Sequence, residues 1–173
     1  MKIIKLEKEK FKDQKFMVKY SAKGYYDLEK EGDTFVVCYK PFDKIMDKLF
    51  EFSLFDKWLD EPVAYGAFDK NRLLGFAEGF LEKWNNRFRI SNICILEEKN
   101  RRRGIGGLLM KQMLDEAKKS GARMVVLETQ SCNEKAIAFY KNQGFCIIGF
   151  DLFAYSNTDP ERHEIRMEMG MAL

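Results

Sequence analysis

The stretch that decides the fold is Arg101-Arg102-Arg103-Gly104-Ile105-Gly106-Gly107. It follows an apolar segment typical of a strand and opens a segment with helical periodicity. Its glycines carry no side chain, so a ligand could approach the backbone closely. The first turn of a helix leaves unpaired N–H groups, and the helix dipole and the arginines add positive potential. The loop therefore predicts a binding site for a pyrophosphate.

Two familiar phosphate-binding loops do not fit this stretch. A Walker-type loop ends in Gly-Lys-Ser/Thr, and that ending is absent. The dinucleotide fingerprint requires a third glycine at a position where this sequence has Leu109. For the loop taken alone, the alternative interpretation is a glycine-rich helix start beside a solvated basic run.

The segments around the loop predict an antiparallel meander followed by a strand–helix–strand unit. Strands are predicted over 63–68, 73–81, 87–96, 124–127, 145–153 and 164–171, and helices over 105–120 and 133–142. The first sixty residues are less regular: they predict strands over 2–6 and 34–39 and one or two amphipathic helices over 43–55 and 56–61. The fold class is therefore α+β (α/β): a mixed, mostly antiparallel central sheet with a βαβ core, in a single domain over 1–173.

The bulk composition excludes several classes of protein. The chain has 173 residues, of which 46% are hydrophobic, so a folded core is expected. Its 30 basic and 27 acidic residues give a net charge of only +3, which offers no argument for nucleic acid or a membrane surface as a partner. No run approaches the roughly 20 apolar residues that cross a bilayer, and the first residues do not read as a signal peptide. We expect a cytoplasmic protein, either a monomer or a homodimer.

The cysteines and the histidine give no sign of metal or nucleophilic chemistry. Cys38, Cys94, Cys132 and Cys146 are scattered, with no Cys-x-x-Cys pair, so neither a zinc site nor a disulfide framework is indicated, and no metal is expected. The chain has one histidine, His163, which lies in an alternating segment and is expected to be non-catalytic.

Two motifs in the right order carry a resemblance to a known family. The spacing Arg-x-x-Gly-x-Gly in the loop resembles motif A of the GNAT superfamily of N-acetyltransferases. One strand further on, Asn133, Ala136 and Phe139-Tyr140, followed by Gly144-Phe145, are similar to the Asn-x-x-Ala-x-x-x-Tyr and Gly-Phe pattern of the same superfamily. A capped helix with an apolar face is the alternative interpretation of the second motif.

The resemblance implies a cofactor and roles for particular residues. In this superfamily the sheet splays open, here between the strand at 87–96 and the strand at 124–128, and the pantetheine arm of acetyl-CoA lies in the gap. Asn133 would hydrogen-bond near that arm, and Tyr140 would be the general acid that protonates the departing thiolate. Backbone N–H groups would polarise the thioester carbonyl. The implied cofactor-binding residues are Ile93, Cys94, Ile95, Arg101, Arg102, Arg103, Gly104, Ile105, Gly106, Gly107, Asn133 and Tyr140.

A narrower likeness covers about the last half of the chain. The sequence there looks like the streptothricin acetyltransferase branch, which acetylates an amine of an aminoglycoside-like antibiotic. The first eighty residues show no such match. The matching segments are Leu127-Glu128-Thr129-Gln130, Ile148-Gly149, Asp151, Tyr155-Ser156-Asn157 and His163-Glu164-Ile165.

The sequence departs from that branch at the place of the base. The branch carries an acidic pair on the strand before the loop, whereas this chain has Ile90-Ser91-Asn92-Ile93, with no carboxylate in either register. A bulge could absorb the one-residue difference. An ammonium must lose a proton before it attacks, and Glu78, Glu128 and Asp151 on predicted strands could accept it. Glu128 is the first choice and Glu78 a further candidate base; the alternative is that each is an ordinary strand carboxylate.

The function that follows is transfer of an acetyl group from acetyl-CoA to a primary amine of a small molecule, with a streptothricin-like antibiotic as one candidate. Attack is direct in a ternary complex, so Cys94 and Cys132 need not be nucleophiles. The alternatives are an acetyltransferase for protein N-termini or lysines, which a long open groove would favour, and a non-catalytic acyl-CoA sensor. A pocket closed by residues 40–60 would favour the small molecule. A nucleic-acid module is disfavoured by the even charge.

Overall fold

The computed structural model describes residues 1–12 and 14–173. Strands and helices alternate along the chain after a long β-rich first half. In chain order the elements are β1 (Lys2–Lys5), α1 (Lys8–Phe11), β2 (Lys15–Glu31), β3 (Thr34–Ser53), β4 (Val63–Asp69), β5 (Arg72–Glu82), β6 (Arg87–Ile95), a 3-10 turn (Glu98–Asn100), α2 (Ile105–Lys119), β7 (Met124–Gln130), α3 (Glu134–Asn142), β8 (Cys146–Asp151) and β9 (Arg166–Ala172).

The strands form a mixed sheet and a separate hairpin. The sheet has the order β1-β4-β5-β6-β7-β9-β8, and β2 pairs with β3. Antiparallel pairs join β1 to β4, β4 to β5, β5 to β6 and β8 to β9, while β6 and β7 are parallel. The parallel pair is joined through α2, as a βαβ connection requires. The predicted α+β class, with a mixed and mostly antiparallel sheet, is confirmed.

The chain divides into two compact units, each discontinuous in sequence. The first comprises Met1–Lys19, Leu49–Leu127 and Met171–Leu173; the second comprises Tyr20–Lys48 and Glu128–Gly170. The division falls inside β7, after Leu127. The assignment of residues 1–173 to one catalytic domain stays a prediction.

The first unit packs the meander and α2 around an apolar core. Phe76 on β5 is fully buried there, together with Leu54 and Ala64. The helical period predicted after the loop is observed, because α2 turns one face inward. Leu108 lies outside that face and is 44% exposed. The buried positions of α2 are Ile105, Leu109, Met110, Met113 and Ala117.

The second unit contains α3 and the β8–β9 pair. The helix α3 lies within one residue of its predicted bounds and buries Ile137 and Tyr140. A glycine with a left-handed backbone, Gly144 at φ +96°, lies just past the end of the helix, as the sequence predicts. The Phe145 N–H then donates to the Tyr140 carbonyl at 3.0 Å. This turn fixes the path from α3 into β8.

The two helices predicted over 43–55 and 56–61 are wrong. Residues 43–53 belong to β3, where Met46, Phe50 and Phe52 are half-buried while Leu49 between them is exposed. Side chains that alternate in this way follow a strand's period of two. The segment that follows β3 forms bends and turns. Phe55 and Glu61 have φ values of +60° and +49°, which interrupt a right-handed helix.

The strand predicted over 34–39 is the first part of β3, and its partner β2 has no counterpart in the sequence prediction. Among residues 1–12 and 14–173, the helices are all too short or too polar to cross a membrane.

Candidate active site

The glycine loop opens α2 with free backbone donors. Gly104 is the N-cap residue at φ +79°, and no side chain caps the helix. The Leu108 N–H donates to the Gly104 carbonyl at 3.2 Å, so the amides of Ile105, Gly106 and Gly107 precede the first intrahelical bond. A Cβ at Gly104 or Gly107 would meet nothing within 4 Å, so the space over these amides is open. The loop has the geometry of an anion site.

The three arginines of the loop differ in their contacts. The Arg101 guanidinium donates to the backbone carbonyl of Lys19, and Arg103 donates to Asn100 Oδ1 at 2.8 Å. Arg102, at φ +59°, makes no side-chain hydrogen bond or ion pair within the described part of the chain. Arg102 is therefore the arginine whose side chain can turn towards a ligand without breaking an existing contact.

Within the first unit, β6 pairs with a strand on each side. Its parallel pairing with β7 joins Arg87–Ile90 to Met124–Leu127, and its antiparallel pairing with β5 continues to Ile95. The rest of β7 belongs to the second unit, so the splay between β6 and β7 stays a prediction, as does the cofactor-binding role of Ile93, Cys94 and Ile95.

A β-bulge interrupts the pairing of β6 with β5. On β5, Glu78 pairs with Asn92 and Gly79 with Ile90, so Ser91 is the extra residue. The strands approach closely at this point, because a Cβ at Gly79 would lie 2.8 Å from the Arg89 carbonyl oxygen. A bulge that redirects a side chain beside a site is a common arrangement.

Glu78 is held beside this bulge with no exposed surface. Its Oε1 accepts from the Phe55 N–H at 2.6 Å, and its Oε2 accepts from Ser91 Oγ at 2.9 Å and Asn92 Nδ2 at 2.8 Å. No cation pairs with it among the salt bridges of the described residues. Burial raises the pKa of the Glu78 carboxyl, and the negative charge of Asp56 raises it further, against the lowering effect of these hydrogen bonds. A carboxyl of this kind can take up a proton readily.

The preferred sequence candidate, Glu128, has a different environment. Its Oε2 lies 2.5 Å from a guanidinium nitrogen of Arg166, and Tyr155 Oη donates to its Oε1 at 3.5 Å. Arg166 also pairs with Glu168. Glu128 is thus the partner of a cation, whereas Glu78 is bonded to uncharged donors.

Asp151, the third candidate, is exposed, and its Oδ1 accepts from the Phe153 N–H at 3.0 Å. That hydrogen bond stabilises the turn after β8. Asp151 therefore has a structural role in this turn, which was the alternative to a role as the base.

The two α3 residues of the second motif lie in the second unit. Asn133 is the N-cap residue, but its side chain makes no capping hydrogen bond, so its amide is not committed to the helix as the capping interpretation requires. Tyr140 is 7% exposed, and its ring lies 5.5 Å from that of Phe139 and 6.2 Å from that of Phe145. Aromatic packing therefore fixes the orientation of the Tyr140 ring.

The buried cysteines are poor nucleophiles. Burial raises the pKa of the Cys94 thiol to about 12, outweighing the effect of Arg101, and burial also raises the pKa of Cys132. Neither is a thiolate at neutral pH, in keeping with direct attack on the thioester.

His163 stacks on Tyr25 with ring centroids 3.8 Å apart and lies 5.4 Å from the ring of Phe42. These contacts give the His163 ring a packing role.

One group of side chains in the second unit, Asp27, Glu29 and Cys38, is close enough to share a metal ion. Lys40 Nζ lies 2.7 Å from both carboxylates. The ammonium already neutralises them, so the group is accounted for by ion pairs. The prediction that the protein needs no metal stays a prediction.

Comparison with known proteins decides the family. A model of the acetyltransferase (GNAT) family matches residues 22–145. The chain belongs to the acetyltransferase (GNAT) family. Streptothricin acetyltransferase of Streptomyces lavendulae is 36% identical over 108 residues, which cover 62% of this chain and 56% of that relative. N-alpha-acetyltransferase 30 of Schizosaccharomyces pombe is 42% identical over 57 residues, 33% of this chain and 37% of the relative. The chain thus spans a third to just over half of these relatives.

Solved structures extend the likeness over the whole GNAT fold. A nourseothricin acetyltransferase superposes with a TM-score of 0.81 at 23% identity, covering 99% of this chain and 97% of that one. A protein from Bacillus anthracis assigned as a streptothricin acetyltransferase, in complex with acetyl coenzyme A, has a TM-score of 0.75 at 24% identity, covering 99% and 96%. At these identities the similarity establishes the fold.

The sequence does not predict the partners of Glu78. The signal for two of them is the adjacent polar pair Ser91-Asn92, which breaks the alternation of apolar side chains along β6. The amide of Phe55 had no signal, because it lies 23 residues from Glu78 in the sequence.

Proposed function

We propose that this protein is an acetyl-CoA-dependent N-acetyltransferase that acts on an amine of a small molecule. The observation that carries the proposal is the uncapped start of α2, where Gly104 and Gly107 leave open space beside the first amides of the helix. These amides can bind a pyrophosphate, and the strand β6 that precedes the loop would carry the pantetheine arm. Membership of the GNAT family supports the same donor.

The chemistry is direct transfer. The α2 amides and Arg102 would bind the pyrophosphate, and Ile93, Cys94 and Ile95 would pair with the pantetheine. A backbone N–H on this edge would polarise the thioester carbonyl as the amine attacks. Tyr140 would protonate the thiolate as the C–S bond breaks, so that sulfur rather than nitrogen is expelled. The roles of Asn133 and Tyr140 rest on the family motif that they match.

Of the candidate bases, Glu78 has the better environment. It is buried, free of any cationic partner among the described residues, and its pKa is raised. Glu128 is paired with Arg166. A general base works best when its pKa lies near the operating pH, so we assign proton removal to Glu78.

The first unit has an open depression of about 460 Å³ lined by Phe55, Asp56 and Lys57 together with Lys8 and Lys12. Its three lysines would repel an ammonium, so the depression does not identify the acceptor site. The streptothricin acetyltransferase relative favours an antibiotic amine as acceptor, and the N-alpha-acetyltransferase relative keeps a protein N-terminus as the second candidate.

Calorimetry tests the donor site. Acetyl-CoA should bind the native protein, and Gly104→Glu should weaken the affinity by about 100-fold or more, because a carboxylate over the α2 amides repels the pyrophosphate. Gly121→Glu is a matched control: Gly121 also has a positive φ, +70°, and open space around it, so it carries the same backbone strain away from the loop. Equal affinities in the two variants would refute the phosphate site.

A panel of amines tests the reaction. Streptothricin, polyamines, aminoglycosides and short peptides would be offered with acetyl-CoA, and thiol release would be measured. Acetylation of the small amines in preference to peptides is the expected result. Binding of acetyl-CoA with no acetylation of any amine would favour the non-catalytic sensor instead.

A further inference from the structure

The candidate base has no direct path to an acceptor. Glu78 has no exposed surface, so an amine cannot touch its carboxylate in this conformation. Among the described residues, three donors contact it and could pass a proton to it: the Phe55 amide, Asn92 Nδ2 and Ser91 Oγ.

Two of these donors cannot pass a proton. The Phe55 amide and the Asn92 side-chain nitrogen donate but do not accept, and Asn92 Nδ2 also donates to the Ser53 carbonyl at 3.1 Å. The Ser91 hydroxyl is different, because it can accept one proton while it donates another. Among the groups bonded to Glu78, the hydroxyl alone is chemically fit to relay a proton.

The position of Ser91 suits that role. Ser91 is the extra residue of the bulge on β6. It is only half-buried, whereas Glu78 is fully buried. The hydroxyl is therefore more accessible than the carboxylate that it contacts, and it lies on the strand that the proposed function assigns to the thioester.

We propose that Ser91 is the proton relay between the acceptor ammonium and Glu78. The inference rests on the proposed acetyltransferase function. The ammonium gives a proton to Ser91 Oγ as the Ser91 hydroxyl proton moves to Glu78 Oε2. The neutral amine then forms the C–N bond, and the C–S bond breaks with its electron pair on sulfur, which Tyr140 protonates. The nitrogen's second proton passes to solvent, Tyr140 recovers a proton from solvent, and Glu78 returns its proton along the same path.

This arrangement places the base on a different strand from the acidic pair of the streptothricin branch. The carboxylate comes from β5, and the β6 position supplies a hydroxyl in its place. The bulge allows a serine on β6 to contact a carboxylate on β5. Ser91 Oγ donates to the Glu78 carboxylate at 2.9 Å and lies 3.3 Å from the Glu78 backbone carbonyl oxygen.

Ser91→Thr and Ser91→Val form the test, since the two side chains have nearly the same shape and only one has a hydroxyl. With an amine that the native protein acetylates, we expect Ser91→Thr to keep kcat/KM within about fivefold and Ser91→Val to lower it about 100-fold, the range of a general base. Acetyl-CoA affinity should be equal in both. Ser53→Ala is the control for a nearby hydroxyl, since Ser53 Oγ bonds Asp56 at 2.7 Å and makes no bond to Glu78.

The pH dependence separates a relay from a packing role. In the native protein and in Ser91→Thr, kcat/KM should fall at low pH as Glu78 becomes protonated, with Asp56 the charged neighbour that shares its environment. In Ser91→Val that acid limb should disappear. Equal kcat/KM for the Thr and Val variants would overturn the relay, and so would an acid limb retained in Val. If the native protein acetylates no amine while acetyl-CoA binds, the proposed function fails, and the relay fails with it.

Discussion

Glu78 and Glu128 are both glutamates on strands, β5 and β7. They differ in burial and in the charge of their hydrogen-bond partners. Glu78 is fully buried and bonded to three uncharged donors. Glu128 has about a third of its side chain exposed and is paired with Arg166, while Tyr155 donates to it.

The difference shows why the type of donor matters more than the number of bonds. Uncharged donors orient a carboxylate without supplying a charge that holds it ionised, and burial then raises its pKa. A guanidinium both orients the carboxylate and stabilises its negative charge. These surroundings favour Glu78 over Glu128 as the proposed base.

The largest effect expected from this comparison is on turnover. Glu78→Gln should lower kcat by about 100- to 1,000-fold, because an amide cannot accept the proton. Glu128→Gln is the matched control and should stay within about threefold, because it weakens the pair with Arg166 and leaves Glu78 in place. Both would be measured as thiol release at saturating acetyl-CoA, with thermal unfolding to verify the fold. The assignment is reversed if Glu128→Gln is the slower variant.

Tyr140→Phe tests whether proton transfer limits the rate at all. We expect kcat to fall about 10- to 100-fold with the dissociation constant of acetyl-CoA unchanged, because the ring packing is kept and only the hydroxyl is lost. Phe139→Leu serves as the control for packing around that ring, whose centroid lies 5.5 Å from that of Phe139. A native kcat in Tyr140→Phe would mean that thiolate departure needs no protein acid.

The pH profile distinguishes the two carboxylates without relying on absolute rates. Protonated Glu78 cannot accept a proton, and its pKa is raised above the ordinary 4.5. The kcat/KM should therefore fall with decreasing pH at a higher pH than an ordinary carboxyl would cause, and stay level above it. The limb should persist in Glu128→Gln and vanish from the residual activity of Glu78→Gln. A limb that vanishes in Glu128→Gln instead would identify Glu128 as the titrating group.

The sequence predicts the local features of the site but not the environment of Glu78. The loop and α2 are local features, since glycine spacing and helical period are both visible in one short segment. The α3 motif is equally local, and its bounds are right to within one residue. The environment of Glu78 depends on cross-strand register and a bulge, and a shift of one residue would turn Ser91 away from it. No pattern within one strand encodes that register.

The error in residues 43–61 has a related cause. Ile45, Met46, Leu49 and Phe50 satisfy a helical spacing, whereas Met46, Phe50 and Phe52 also satisfy a strand's period. The partner that decides between them is β2, which lacks a clear pattern of its own. Tertiary pairing overrides a local preference in such a segment.

The smallest expected effect on kcat is that of replacing Arg166. Arg166→Met alone should change kcat by less than about threefold. It should lower the free energy of unfolding by about 1 kcal/mol at most, because the pair with Glu128 is partly exposed and screened by solvent. In a Glu78→Gln background the same substitution tests whether Glu128, without its pair to Arg166, can serve as a weak base. If activity rises over that of Glu78→Gln and is lost again on adding Glu128→Gln, the pair with Arg166 is what limits Glu128 as a base in the native protein. If activity does not rise, the pair with Arg166 is not what separates the roles of the two carboxylates.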